Sequence, residues 1–232
     1  MKASQFQEGH MLLIDKPKTW SSFDVVNKLR WQIKNKLKVK KIKVGHAGTL
    51  DPLATGLLVL CTGKFTKKIE GFTADHKTYT GTILLGKTTP SYDLETEYDA
   101  EFPTEHITDK FIDEVRQSFM GKQLQTPPIF SAKQIDGKRA YEFARKGEAV
   151  ALKQNQIEVF DFIVDTSALP ELYFSIKCSK GTYIRSIAAD FGKALKSGGT
   201  LTELRRTASG DFDIKDALSV EEAIKMIEES EI

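Results

Sequence analysis

Cysteine is scarce. Cys61 and Cys178 are the two in 232 residues, far apart and in apolar surroundings. That excludes a disulfide framework and a cysteine-based zinc cluster, and it suits a reducing compartment. Long apolar runs are missing too, and none approaches the ~20 residues of a membrane span. Met1 to His10 has no apolar signal core, so we expect a cytoplasmic protein without a membrane partner. No His, Cys, Asp and Glu cluster at metal-ligand spacing, which points away from a metal site. Internal repeats and low-complexity linkers are absent, and nothing marks a domain boundary, so a single domain over residues 1–232 is expected. With 40% hydrophobic and 28% charged residues the chain is neither disordered nor fibrous, and it is long enough for a sizeable core.

Net charge is small, +2, but unevenly spread. Between Val25 and Leu50 stand eight basic residues (Lys28, Arg30, Lys34, Lys36, Lys38, Lys40, Lys41 and Lys43) and no acidic one. From Lys87 to Phe119 there are nine acidic residues against three basic, and from Asp211 onward eight against two. One face suited to a polyanion follows from this asymmetry; a solvated lysine run is the plainer alternative.

Strand and helix patterns are interspersed without regular alternation, which favours α+β over a doubly wound sheet. Met11 to Ile14 reads as a strand ending at Lys16-Pro17. Ser21 or Ser22 caps a helix with Val25, Val26, Leu29 and Ile33 on one face. Leu57 to Cys61 is a buried strand, and Thr78 to Leu85 is extended with Tyr79, Ile83 and Leu85 on one side of the pleat. Thr108 opens a helix ended by Gly121. Ile157 to Val164 and Leu172 to Cys178 pair through Pro170, and Tyr183 to Leu195 is helical. Ser219 and Glu222 make a capping box for a last helix. Gln125 to Lys153, opening with Pro127-Pro128, is the best candidate for an inserted loop.

Gly81 to Thr88 satisfies the phosphate-loop pattern in letters only. Its spacer is the end of an apolar strand, and Thr89-Pro90-Ser91 follows where a helix should begin, so a nucleotide hydrolase is a poor reading. Gly45 to Gly56 is the strongest signal. Three glycines and Pro52 bracket His46 and Asp51. Glycines permit close approach of another backbone or a ligand, and Pro52 biases Asp51 toward extended geometry. A carboxylate on such a rigid loop suits a nucleophile or base; an ordinary Asp-Pro turn is the alternative. Lys180 to Arg185 lies at a strand-to-helix junction, where Arg185 is either surface decoration or held by a carboxylate. Arg205-Arg206 reads as solvent-facing or phosphate-binding, Tyr79 as sheet core or as a site residue, and His46 as a satisfied loop histidine or a ligand contact.

Several segments in order resemble the bacterial tRNA pseudouridine synthase B family. They are Leu12 to Pro17 with Ser21-Ser22, Gly45 to Gly56, Lys77-Thr78-Tyr79, Ser131-Ala132-Lys133, Tyr141 to Gly147, Cys178 to Arg185 and Leu204-Arg205-Arg206. The resemblance spans about Met11 to Gly210. It implies a central, mixed and mostly antiparallel sheet flanked by helices and loops. The implied reaction isomerises uridine to pseudouridine at position 55 in the T-loop of tRNA, with no cofactor or metal. By the same resemblance Asp51 is the catalytic aspartate, Tyr79 stacks on the base and is a candidate for taking the C5 proton, and Arg185 pairs with Asp51. His46, Tyr183 and the backbone at Leu204 contact substrate, and Lys16-Pro17 braces the loop, which sets Lys16 at the substrate site. The Gln125 to Lys153 segment would close over the T-loop. Many members carry a C-terminal RNA-binding domain of the PUA type; here the chain ends about twenty residues after Gly210, so none is expected. The partner is tRNA, and the protein is expected to act as a monomer. A non-catalytic RNA-binding module on the same scaffold is the competing function.

Overall fold

The computed structural model describes residues 2–73, 75–131, 134–135, 138–139 and 152–231. Most of the expected insert at Gln125 to Lys153 therefore lies outside the described residues, as do Ala132-Lys133 and Tyr141 to Gly147. The chain divides into two compact units, Met1–Tyr79 with Leu204–Ile232 and Thr80–Glu203.

In chain order the helices are α1 (Gln5–Glu8), α2 (Ser22–Leu37), α3 (Ile69–Phe72), α4 (Asp109–Ser118), α5 (Ile184–Ala194) and α6 (Val220–Glu229). The strands are β1 (Met11–Lys16), β2 (Val44–His46), β3 (Thr55–Thr62), β4 (His76–Leu85), β5 (Lys87–Thr88), β6 (Ala100–Glu101) and β7 (Gly121–Gln125). They continue with β8 (Gln134–Ile135), β9 (Lys138–Arg139), β10 (Asn155–Ala168), β11 (Glu171–Ser179), β12 (Gly199–Ser209) and β13 (Phe212–Asp213). The strands β4 and β12 each pass from one unit into the other.

In the first unit β1 lies antiparallel to β3, from Met11 opposite Cys61 to Lys16 opposite Gly56. Leu12, Ile14, Leu58 and Leu60 face α2 and α6, which supply Val25, Val26, Leu29, Ile33, Val220, Ala223 and Ile227. Alternate residues Leu57 and Val59 face a second cluster with Ala47, Met11 and Leu13. Burial on both faces explains why β3 reads as a continuous apolar run rather than an alternating one. Both capping boxes are formed: Ser21 with Asp24 starts α2, and Ser219 with Glu222 starts α6.

In the second unit the strand order is β4, β11, β10, β7. The long hairpin β10–β11 is antiparallel, and β7 pairs antiparallel with Asn155 to Val159 of β10. Phe162 of β10 packs on Phe174 of β11 and on Phe191 of α5, ring centroids 6.3 and 5.5 Å apart, and Phe119 after α4 reaches Phe191 at 5.4 Å. These rings cement both helices to the sheet. The fold is α+β, as expected. The apparent phosphate loop is the interior of β4, with the turn at Gly86 (φ 85°) leading into β5. Among the described residues no helix is long and apolar enough to cross a membrane.

The strand β12 is illegible in the sequence. Residues 199–209 mix threonines with Glu203, Arg205 and Arg206, yet they form β12. In the first unit this strand lies parallel to β3, with Arg205 opposite Thr55 and Arg206 opposite Gly56. It also runs beside β4, where the Thr207 hydroxyl donates to the Thr78 carbonyl at 3.3 Å.

Candidate active site

The first unit builds the loop that carries Asp51. One edge of β3 is shared: β12 takes Thr55 and Gly56, and β2 takes Leu60 to Thr62. Between them the Val59 carbonyl accepts from the Ala47 amide at 2.9 Å, and the Leu57 carbonyl accepts from Arg206 Nε at 2.7 Å. Residues 47–54 therefore bulge from β3 at the point where its edge passes from one strand to the other. Gly56 has φ 102°, and any Cβ there would collide with the Arg206 backbone, so only glycine permits the parallel strand to come this close.

Buried polar groups fix the loop at several points. Ser22, at the first position of α2, donates to the Leu50 carbonyl at 3.0 Å and accepts the Leu50 amide at 2.8 Å. Both main-chain groups next to Asp51 on that side are thereby held. The Pro52 carbonyl accepts from the Thr19 amide at 2.8 Å and from Lys16 Nζ at 3.4 Å. Lys16 Nζ also donates to the Pro17 and Trp20 carbonyls, at 2.9 and 2.5 Å. Arg206, 1% exposed, reaches under the loop and donates to the Gly48 carbonyl at 3.0 Å and the Thr49 carbonyl at 3.4 Å. None of these loop-pinning bonds uses the Asp51 carboxylate, which is half-buried on a backbone that others hold still.

Lys16 is wholly buried, and its donors meet three backbone carbonyls, so the structure places it as a brace. Burial lowers its pKa to about 8. The negative charges of Asp51 and Asp24 oppose that shift, and the Arg206 cation adds to it. A neutral amine keeps two N–H groups for three carbonyls, so the loop slackens when the proton leaves. We expect the rate to fall as pH rises through about 8, and Lys16→Met to be slow and to lack that fall. Folding stability moves the other way: the unfolded lysine holds its proton up to about 10.5, so stability contributed by this group rises above pH 8. A pH–rate profile beside a melting curve checks both signs. A rate independent of pH across that range in the wild type removes the coupling.

His46 ends β2, and its Nδ1 is buried without a hydrogen-bond partner among the described residues. Burial lowers its pKa, as does the charge on Arg206, while the Gly48 backbone pushes it up. Both lowering influences disfavour the imidazolium form of this ring. Tyr79 is 8% exposed at the point where β4 leaves the first unit, and Lys77, two residues earlier, is buried with Cε near Gly48. The Leu204 carbonyl accepts from the Thr55 hydroxyl at 3.4 Å. Lys16, His46, Asp51, Tyr79 and Leu204 thus all belong to one unit.

Arg185 and Tyr183 belong to the other. Arg185, on the first turn of α5 and 4% exposed, lies 3.5 Å from the Asp93 carboxylate. It also donates to the Ser91 and Phe130 carbonyls, at 3.3 and 2.8 Å. It is no surface decoration. Gln125 caps the same helix from β7: its amide bonds both the N–H and the C=O of Tyr183, at 2.8 and 3.0 Å.

Of the adjacent arginines, Arg206 differs from the sequence reading of solvent or phosphate, being 1% exposed, whereas Arg205 keeps 41% of its side chain in solvent. Arg205 forms a two-pronged pair with Asp15, at 3.0 and 2.5 Å, and Arg206 is the loop clamp. Their alternation on a strand sends one to each face. Asp93 and Gln125 are supporting residues to which pattern reading gives no role, while Ser22 and Arg206 carry a local signal with another meaning: Ser22 as the second serine of a helix start, Arg206 as half of an arginine pair.

Residues 34–184 match the TruB family pseudouridylate synthase N-terminal domain, and residues 185–231 match the tRNA pseudouridylate synthase B C-terminal domain. The tRNA pseudouridine synthase B of Flavobacterium johnsoniae is 55% identical over 221 residues, covering 95% of this chain and 96% of that protein. The tRNA pseudouridine synthase B of Phocaeicola vulgatus is 54% identical over 227 residues, 98% and 97% of the two chains. Among solved structures, a chain from the Cbf5-Nop10-Gar1 complex superimposes with a TM-score of 0.70 at 26% identity. That match covers 95% of this chain and 55% of the other, so this chain spans about half the length of that one. Identity near one half along almost the full length, on the sheet and pinned loop described above, settles the family: the chain belongs to the TruB family of pseudouridylate synthases.

Proposed function

We propose that this chain isomerises uridine to pseudouridine at position 55 in the T-loop of tRNA. The relatives named tRNA pseudouridine synthase B support the reaction and the substrate class. The observation that carries the reading is the Asp51 loop, pinned through Leu50, Pro52, Gly48 and Thr49 so that one half-buried carboxylate is held in place.

The N1–C1′ bond breaks, the uracil turns, a C5–C1′ bond forms, and the proton lost from C5 is balanced by one gained at N1. Substrate and product have the same atoms and oxidation state, so the balance needs no redox partner. Asp51 acts at the reacting nucleoside. Tyr79 stacks on the base and accepts the C5 proton, and Arg185 supplies a cation that favours the ionised carboxylate. His46, Tyr183 and the Leu204 backbone contact the nucleotide, and Lys16 keeps the Asp51 loop rigid. The base must leave its stack, at a cost of a few kcal/mol. Stacking on an aromatic ring returns about 1–3 kcal/mol. We place the reaction in the cytoplasm and the chain as a monomer acting on tRNA directly.

A single turnover on a T-stem-loop hairpin, without ATP or added metal, tests this. Pseudouridine at the mapped position is the expected product. Tight hairpin binding with no product would replace the proposal with a non-catalytic RNA-binding module.

A further inference from the structure

The first unit holds a second feature that the Asp51 loop does not use. Asn27, Arg30, Trp31 and Lys34 stand at i, i+3, i+4 and i+7, so they share one face of α2. Lys38 ends the helix in a left-handed conformation (φ 52°), and the chain turns back beside it. Lys40, Lys41, Ile42 and Lys43 then form the opposite wall of an open groove of about 890 Å³. Among the described residues five cations line it and no carboxylate does. Lys36, on another face, is already engaged: its ammonium bonds the Glu228 carbonyl at the end of α6, at 2.7 Å. The charge run is therefore not uniform decoration: five of its eight cations line the groove, and Lys36 ties α2 to α6.

Trp31 is 57% exposed in this groove, with Lys28 Nζ 6.0 Å from its ring centroid. The half-buried Ile42 adds apolar surface to the same lining. Like charges facing one another destabilise a fold unless an anion joins them. An anion explains the lysines, but not an open indole among them. In a paired RNA helix the bases are stacked inside, so an aromatic side chain finds no free face; unpaired nucleotides offer both a phosphate and a base.

We propose that this groove binds an unpaired stretch of the substrate RNA outside the T-loop. One base stacks on Trp31, and the flanking phosphates meet Arg30, Lys34, Lys40, Lys41 and Lys43. The inference rests on the RNA substrate proposed above and adds a second contact to it. The groove wall runs straight into β2 and the Asp51 loop, so a strand held there is tied to the element that carries the proposed catalytic group.

The test compares full-length tRNA, the T-stem-loop hairpin and a short oligouridine. Trp31→Ala should weaken tRNA binding about 5- to 160-fold, the span of a single base stack. Lys40→Ala with Lys41→Ala should lower the salt slope of tRNA binding by about two. Hairpin binding should change less than about twofold in both variants, and oligouridine should quench a fluorescence signal that Trp31→Phe lacks. Equal losses on hairpin and tRNA would overturn the proposal by assigning the groove to the T-loop. No loss on either would return it to solvent, and equal quenching by polyglutamate would assign it to acidic chains in general. If the tRNA-specific loss appears while no pseudouridine forms on any RNA, the groove stands and the proposed reaction fails.

Discussion

Asp51→Asn is expected to abolish pseudouridine formation while leaving the fold and RNA binding nearly intact. The substitution is isosteric and removes only the negative charge and the proton-accepting oxygen. The loop should keep its shape, because Ser22, Lys16, Thr19 and Arg206 hold it through main-chain groups at Gly48, Thr49, Leu50 and Pro52. A positioned acid–base group contributes about 10²–10⁴-fold, so single-turnover rates should drop at least that far. The loss is larger if the carboxylate forms a bond in the reaction. Hairpin and tRNA affinity should stay within a few-fold. A second, independent sign accompanies it. Asp51 is the largest influence opposing burial at Lys16, so removing its charge should push the Lys16 pKa further below about 8. A rate near the wild-type value would refute the catalytic assignment. An unmoved Lys16 titration would refute the electrostatic link between brace and carboxylate.

The legible parts of this molecule are those whose signals are local. Ser21 with Asp24 and Ser219 with Glu222 cap their helices, and the apolar stripe Val25, Val26, Leu29, Ile33 is the buried stripe of α2. Pro170 does sit in the β10–β11 turn, and Tyr79, Ile83 and Leu85 do share a buried side of β4. The Gly45 to Gly56 block stood out because glycine and proline report backbone demands directly, and Gly56 meets one in the close pass of β12. What was illegible depends on long-range packing. β12 carries no alternating apolar pattern because buried positions such as Thr200 and Arg206 are polar, satisfied by the distant carbonyls of Lys87 and Leu57. Ser22 looks like a second cap, since nothing local says that its hydroxyl spans to Leu50, twenty-eight positions on. Asp93 hides in an acidic stretch that reads as charge excess, although it is 6% exposed beside Arg185. Pattern reading finds residues that shape their own backbone; it misses or misassigns those that shape a distant one.

Arg206 is the extreme case of the second kind, and Arg206→Lys should be nearly as damaging to the rate as a change at the loop itself. Its guanidinium serves three carbonyls in two directions: Leu57 on β3, and Gly48 and Thr49 in the loop. A lysine keeps the charge, but its point-like ammonium on a longer, softer stem cannot reproduce a planar fork. Each buried carbonyl left without a donor costs about 1–3 kcal/mol, so a loss of about 3–5 kcal/mol is expected once partial rescue is allowed for. Against the roughly 5–15 kcal/mol that holds a typical domain folded, that is severe but survivable. The rate should suffer separately, because a reacting group misplaced by about 1 Å costs on the order of 10²-fold. Denaturant unfolding reads the first loss, and single-turnover kinetics under conditions where the variant is fully folded read the second. Faster amide exchange at Ala47 and Leu50, with β1 unchanged, would place the damage in the loop. If the lysine variant unfolds with wild-type stability and reacts at the wild-type rate, the Asp51 loop does not depend on this clamp. Its rigidity would then have to come from Ser22, Lys16 and Thr19.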